Sequence, residues 1–425
     1  MREQICRQKW KARGRAKWTC AFAALCVLVS ASLVGCGDDG DDVGSEAEGD
    51  STIVLGAAIS QTGKYSTSGK HTKNGYELAV RLVNDAGGVE IDGKKYDLVV
   101  KYYDDESTPA RAAQLIERLV RKDNVHFLLG PYSSPLTKAI APVAEKHGIP
   151  MVQANGAARD LFEQEYRYMF GVLSTAEQYL SPVVDLLARQ AEENGNDPGD
   201  MRVAVIVEND NFSLDIRAGV LERVKHYGMK IVVDEKLPAE VNDMSAALTK
   251  VKKLRPDLLV VSGHARGAGL AVRQVANRKL GVPMVALTHC DSADVINKEQ
   301  FGDKAEGIYC AVQWAPEMPY EDKFFGTATD YSHLFQEKYG YVPPYQAAES
   351  SAAVMVFVDA FKRAGTLDPK AVRDALADTD LPTFYGRVKF DETGKNIAKP
   401  MVLLQVRDGK YEIAFFPEEA EAEIP

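Results

Sequence analysis

The sequence predicts an α/β protein of two doubly wound, Rossmann-like lobes, and three observations carry that expectation. Apolar runs rich in Val, Ile and Leu recur without polar alternation, as parallel strands covered on both faces require. Segments with apolar residues three and four apart separate those runs. The alternation also proceeds to about residue 172 and restarts at Arg202, so two βα units are present rather than one. A chain of 425 residues is long enough for two or three domains at ~150 residues each.

The strand-like runs are TIVLGAAI (52–59), YDLVVKYY (96–103), VHFLLG (125–130) and PMVQA (150–154) in the first unit. In the second they are RVAVIV (202–207), KIVVDE (230–235), DLLVVSG (257–263) and PMVALT (283–288). In NGYELAVRLVNDAGG the residues Leu78, Leu82 and Val83 form one helical stripe, and Gly87-Gly88 supplies the stop. In TPARAAQLIERLVRKD, Pro109 starts a helix whose buried face is Leu115, Ile116, Leu119 and Val120. After GIYCAVQW (307–314) two helical patterns follow without an intervening strand, and then a β-rich tail. A chain that returns late to its first lobe produces that order. The expected division is 52–173 with 318–380 for the first lobe and 174–317 with 381–425 for the second, joined by a hinge.

The first fifty residues are different in kind. Residues 2–17 hold seven bases and one acid, and an uncharged apolar segment, TCAFAALCVLVSASLVGC, follows. It is shorter than the ~20 apolar residues of a membrane span, and with its basic flank it reads as a secretory signal, 1–35. Its end, Leu33-Val34-Gly35-Cys36, is similar to the lipobox of bacterial lipoproteins, which implies lipid on Cys36 and attachment to a membrane. Residues 36–51 are acidic, with almost nothing apolar, and read as a solvated tether. Without residues 1–35, which hold seven of the 51 basic and one of the 61 acidic residues, the net charge is −16. That balance argues against a nucleic-acid partner. Cys290 and Cys310 are the cysteines left after Cys36, and an exported protein can pair them; the sequence leaves the pairing open.

Ligands of open α/β sheets sit outside the carboxyl ends of the strands. Three turns at such ends carry small, polar or aromatic residues: SQTGKYSTSGK with Tyr65, GPYSSP with Tyr132, Ser133 and Ser134, and Ala154-Asn155-Gly156-Ala157. A Ser ahead of a helix is an ordinary cap. The three turns on one edge together point to a ligand shelf, because a helix N-terminus also offers N–H groups to an anion.

GAAISQTGKYSTSGKHTKNGYELAVRLVNDAGGV, the acids of YYDDESTPARAAQLIERLV, LLGPYSSPLTKAIAPVAEKHGIPMV and YGYVPPYQAA resemble the extracytoplasmic solute-binding proteins of ABC transporters. The resemblance is to the Leu/Ile/Val- and amide-binding family with the type I periplasmic-binding fold, over residues 52–410. It implies a receptor, not an enzyme, that captures a small amino acid, amide or organic acid between closing lobes and docks on a permease with its ATPase subunits. It implies that Ser133 and Ser134, with backbone groups of Ala154, Gly156 and Ala157, hold the solute's head group, Asn155 lying in the same turn. It implies that Tyr65 covers the solute, and that Phe212, His264 and the THCDSAD segment with Asp291 face it from the other lobe. Trp314 adds an aromatic wall. The family's acid for an ammonium group has no clear match here, and Ala157-Ala158 replace an expected hydroxyl, which puts a plain α-amino acid in doubt. His264 and His289 suit a ligand with acceptor groups.

No metal-ligand spacing, nucleophile elbow or phosphate loop occurs, so neither cofactor nor metal is expected. The expected protein is an exported, lipid-anchored monomer on a periplasmic or extracellular membrane face. A ligand sensor for a signalling partner shares the fold and stays open as an alternative; a cleft enzyme would need converging perturbed ionisable groups.

Overall fold

The computed structural model describes residues 51–416. The signal segment, the lipidation at Cys36 and the tether up to residue 50 lie outside the described residues, as do residues 417–425.

The chain builds two main sheets. The first contains β1 (Thr52–Ile59), β2 (Val89–Ile91), β3 (Lys94–Asp104), β4 (Phe127–Leu129), β5 (Met151–Gln153) and β6 (Met169–Gly171) in the order β2-β3-β1-β4-β5-β6. All neighbours are parallel except the β2–β3 hairpin. The second contains β7 (Arg202–Glu208), β8 (Lys230–Leu237), β9 (Leu258–Ser262), β10 (Met284–Thr288) and β11 (Tyr309–Val312). Two short hairpins follow, β12 (Glu321–Asp322) with β13 (Gly326–Thr327) and β14 (Asp380–Thr383) with β15 (Gly386–Lys389). The tail strands β16 (Val402–Arg407) and β17 (Lys410–Phe415) complete the second sheet, in the order β17-β16-β11-β10-β9-β7-β8. Strands β7 to β11 are parallel, whereas β16 runs antiparallel to both its neighbours. The result is the mixed α/β architecture of parallel-sheet units that the apolar runs predict.

The central strands are buried along almost their whole length, β4, β5 and β9 entirely so. Continuous burial is what helices on both faces impose. The helix Pro109–Arg121 begins at its proline and buries Ala112, Leu115, Ile116 and Leu119. The helix over Ser66–Asp85 starts eight residues earlier than its apolar stripe suggests. Packing explains the extension: a Cβ at Gly69 would meet Ser60 O at 2.0 Å, and one at Gly75 would meet Ala347 O at 2.2 Å. Glycine lets this polar first half lie against β1's end and the late helix Tyr345–Ala364. That late helix is buried nearly all round and packs against the helix Ser66–Asp85.

Three stretches that pass between the two sheets meet at Ser174, Gln313 and Lys399. Gln313 Oε1 accepts from Ser174 N at 3.1 Å and Nε2 donates to Ser174 O at 2.9 Å. Ser174 Oγ donates to Lys399 O at 2.5 Å, and Lys399 Nζ donates to Gln313 O. Cys290 and Cys310, after β10 and within β11, form a disulfide with Cα atoms 5.8 Å apart. No helix among the described residues is long and apolar enough to cross a membrane.

Candidate functional site

The carboxyl-end turns of the two sheets face each other. From the first sheet comes the β4 turn. Ser133 occupies the N-cap position of the helix Ser134–His147, yet its side chain makes no cap bond, and its backbone has φ 86°. Its Oγ is buried without any hydrogen-bond partner. An ordinary cap would use that oxygen, and a non-glycine residue at positive φ carries local strain of the kind found at functional turns. Ser134 behaves differently. Its Oγ accepts from Ala157 N at 3.0 Å and Ala158 N at 2.9 Å, so it ties the β5 turn to the helix.

This corrects the head-group assignment for the β5 turn. Gly156 N donates to Gln153 Oε1 at 2.6 Å, Ala157 N is taken by Ser134, and Ala157 O accepts from Ala176 N at 2.7 Å. Ala154 is fully buried in the apolar core. Gly156 is glycine because a Cβ there would meet Thr137 Oγ1 at 2.5 Å. The backbone groups expected to hold a solute are therefore consumed by the fold. Asn155 alone in this turn faces inward with a spare atom: its Nδ2 donates to Ser350 Oγ at 3.1 Å and its Oδ1 has no partner.

From the second sheet come Asp210, Phe212, His264 and His289. Asp210 caps the helix Asn211–His226 by accepting from Ser213 N at 2.9 Å, and its other oxygen lies 2.9 Å from His264 Nε2. Burial opposes the charge on His264, but Asp210 outweighs burial and holds the imidazole above its ordinary value. Burial would likewise raise Asp210, and His264 keeps it below the usual carboxylate range. Phe212 stacks on the His264 ring at 5.6 Å. His289, at φ 58°, is pushed down to about 3 by burial and then by His264. Its Nδ1 donates to Gly263 O at 2.9 Å, which leaves Nε2 as an acceptor.

Tyr132 joins the two sides. Its hydroxyl lies 2.8 Å from His264 Nδ1 and 2.8 Å from His289 Nε2. One assignment fits the contacts of Tyr132: imidazolium His264 donates to Asp210 and Tyr132, and Tyr132 donates to His289, whose Nε2 the Tyr345 hydroxyl also approaches at 3.2 Å. The two histidines therefore have no spare donor, contrary to the expectation that they would serve a ligand's acceptors. Tyr132, Ser133 and Ser134 are also buried rather than exposed, at 3%, 2% and 1%.

Around this bridge is a small inner cavity of about 10 Å³, walled by Ser133, Asn155, Phe212, His264, Tyr345 and Glu349 among others. Room of that size holds a single water-sized probe, so a solute enters only if the sheets part. His264 lines both this cavity and an outer cleft of about 840 Å³, which Tyr65 also borders. The Tyr65 ring meets Tyr132 and His264 edge-on at 5.5 and 4.9 Å. Asp291 and Trp314 border the outer cleft and not the inner cavity. Asp291 Oδ2 accepts from Tyr345 N at 2.9 Å, and burial lifts its carboxyl to about 6. Trp314 Nε1 donates to Phe384 O at 3.0 Å within a packed aromatic group. Trp314 is thus held mostly in the core, with the outer cleft along its edge.

The sequence did not single out Glu349 or Tyr132's bridge. Glu349 had a legible signal: it is the one charged residue between Tyr345 and Val358, in a helix otherwise small and apolar. Among the described residues one group, Glu208, Asp210 and His264, brings metal-ligand atoms within 4.8 Å of one another. In it Asp210 and His264 are already an ion pair.

The profile of the periplasmic binding protein family matches residues 52–410. A leucine-, isoleucine-, valine-, threonine- and alanine-binding protein of Pseudomonas aeruginosa is 25% identical, over 81% of this chain and 87% of that one. A Leu/Ile/Val-binding protein homologue of Brucella abortus is 25% identical over 87% of this chain and 91% of its own length. The branched-chain amino acid transporter substrate-binding protein of Streptococcus pneumoniae, solved with isoleucine, superposes with TM-score 0.74 at 24% identity. It covers 85% of this chain and 98% of that chain. An R. palustris ABC-transporter solute-binding protein solved with benzoate superposes at 0.73 and 18% identity, over 85% and 95%. The chain belongs to the periplasmic binding protein family, the solute receptors of ABC importers that its sequence resembles.

Proposed function

We propose that this receptor captures a small amino acid, amide or organic acid in the compartment between its two sheets. The lobes are 52–173 with 318–380 and 174–317 with 381–425, hinged where Ser174, Gln313 and Lys399 meet. The observation that carries the reading is the bridge from Tyr132 to His264 and His289 beside side-chain atoms without partners. Native interiors leave few buried polar atoms unpaired, and those that persist cluster where something else completes them. In the open form the solute meets Ser133 and Asn155, and closure brings Phe212 and His264 over it, with Tyr65 as the outer cover. The closed receptor then docks on a permease, held at the membrane by lipid on Cys36. Relatives named for branched-chain amino acids and neighbours solved with isoleucine or benzoate support that range of solutes.

Thermal unfolding of the purified chain against a panel of amino acids, amides and aromatic acids tests this. A solute at 100 times its dissociation constant adds about 2.7 kcal/mol of stability. A panel that leaves the melting temperature unmoved would sink the reading.

A further inference from the structure

Glu349 is the only carboxylate in the wall of the inner cavity, and it is fully buried. One of its oxygens has a partner and the other has none. Counting hydrogens decides what the free oxygen is. Gln313 Nε2 donates to Ser174 O at 2.9 Å, which fixes Gln313 Oε1 as an acceptor. Tyr385 Oη lies 3.2 Å from that acceptor and 3.1 Å from Glu349 Oε2. Tyr385 has one hydrogen, so it serves only one of them. The array closes when Glu349 carries a proton on Oε2 and donates to Tyr385, which donates to Gln313. Burial, which holds this carboxyl well above the usual range, agrees. Glu349 Oε1 is then a carbonyl oxygen, and it would equally be an acceptor if the group were ionised.

Asn155 yields to the same reasoning. Ser350 Oγ donates its single hydrogen to Gln346 O at 2.6 Å, so Asn155 Nδ2 must be the donor in its 3.1 Å contact with Ser350. Asn155 Oδ1 is left as a second acceptor without a partner on the same cavity. Two buried acceptors without donors are costly until something supplies hydrogen.

We infer that Glu349 and Asn155 are specificity-determining residues that select a solute bearing N–H donors, an ammonium or a primary amide, at the end that enters the inner cavity. The inference rests on that cavity being the solute site. It places nitrogen where the resemblance puts a carboxylate, because the amides of Gly156 and Ala157 are spent on Gln153 and Ser134. It draws the recognising acid from the helix Tyr345–Ala364 rather than from the turn after β10. Through Tyr385 and Gln313 the same contact reaches the crossing strands at Ser174.

Two matched pairs of probes test it by calorimetry on the purified full chain: L-leucine against 4-methylpentanoate, and benzamide against benzoate. The nitrogen-bearing member of at least one pair is expected to bind wild-type protein at least tenfold more tightly. Glu349→Leu is expected to bring that ratio within threefold of unity. Glu349→Gln, which can donate to Tyr385 and still turn a carbonyl inward, is expected to retain the benzamide preference. Asn155→Ala weakens the nitrogen-bearing member independently of Glu349. Equal or tighter wild-type binding of both carboxylates overturns the inference, as does an unchanged ratio in Glu349→Leu. Failure of all four probes to bind wild-type protein would overturn the solute-site reading and the inference with it. Binding without nitrogen preference overturns the inference alone.

Discussion

The two edges that meet at the compartment are built on opposite terms. At the second sheet's edge the bridging charged groups are paired, while Ser213 Oγ, Ser262 Oγ and Asp291 Oδ1 around them have no partner. Asp210, His264 and His289 are ionisable and buried, and each has its hydrogen bonds made. The first sheet's edge is unfinished: Ser133 Oγ, Asn155 Oδ1 and, from the helix beside it, Glu349 Oε1 have no partners. A preassembled charge network costs little reorganisation when a lobe closes, whereas open valences are what a solute can complete. On the function proposed above, recognition lies with the first edge, and the paired network of the second acts as its polarised cover.

The comparison breaks most visibly at Asp210. Asp210→Asn keeps the cap on Ser213 but leaves His264 without its counter-charge, and removing one partner of a buried pair costs about 3–5 kcal/mol. Denaturation across pH checks the sign. His264 is raised above its ordinary 6.5, so its contribution is complete below that pH and fades as pH rises through the folded value. Asp210 is lowered from 3.8, so its contribution is complete above that pH and fades as pH falls through the folded value. The gap between wild type and variant is expected to be widest between those two values. A gap flat across pH would mean that the pair is not ionised.

A smaller effect separates the two serines of the β4 turn. Ser134→Ala strands the buried amides of Ala157 and Ala158, at about 2–3 kcal/mol in urea denaturation. Ser133→Ala removes an oxygen without a well-aligned partner, near only the Tyr65 hydroxyl, so stability should change by less than about 0.5 kcal/mol. Affinity for the strongest solute of the panel should nevertheless fall about tenfold, the worth of one hydrogen bond. If Ser133→Ala destabilised the free protein as much as Ser134→Ala, the division between fold and recognition would be wrong.

Much of this fold could be read directly. The apolar runs became strands because a parallel strand covered on both faces favours apolar side chains along its length, as residues 258–261 of β9 show. The first half of the helix Ser66–Asp85 could not be read, since its reason is the close approach of Ala347, far along the chain. In the site, the turns of Ser133, Asn155, Phe212 and His264 were legible as strand ends. Trp314 and Asp291 border the outer cleft and not the inner cavity, a distinction that strand-end position alone does not make.

By itself the sequence determined the βα alternation, the family and the strand-end turns, because period, punctuation and motif order are local properties. Only the tertiary structure decided which polar atoms are spent and which stay free. Ser134 was paired off by the next turn, and Glu349 was brought from the other end of the chain to the same cavity. The physical reason is that each donor hydrogen serves one acceptor, and the partners that compete for it meet only when the chain is folded.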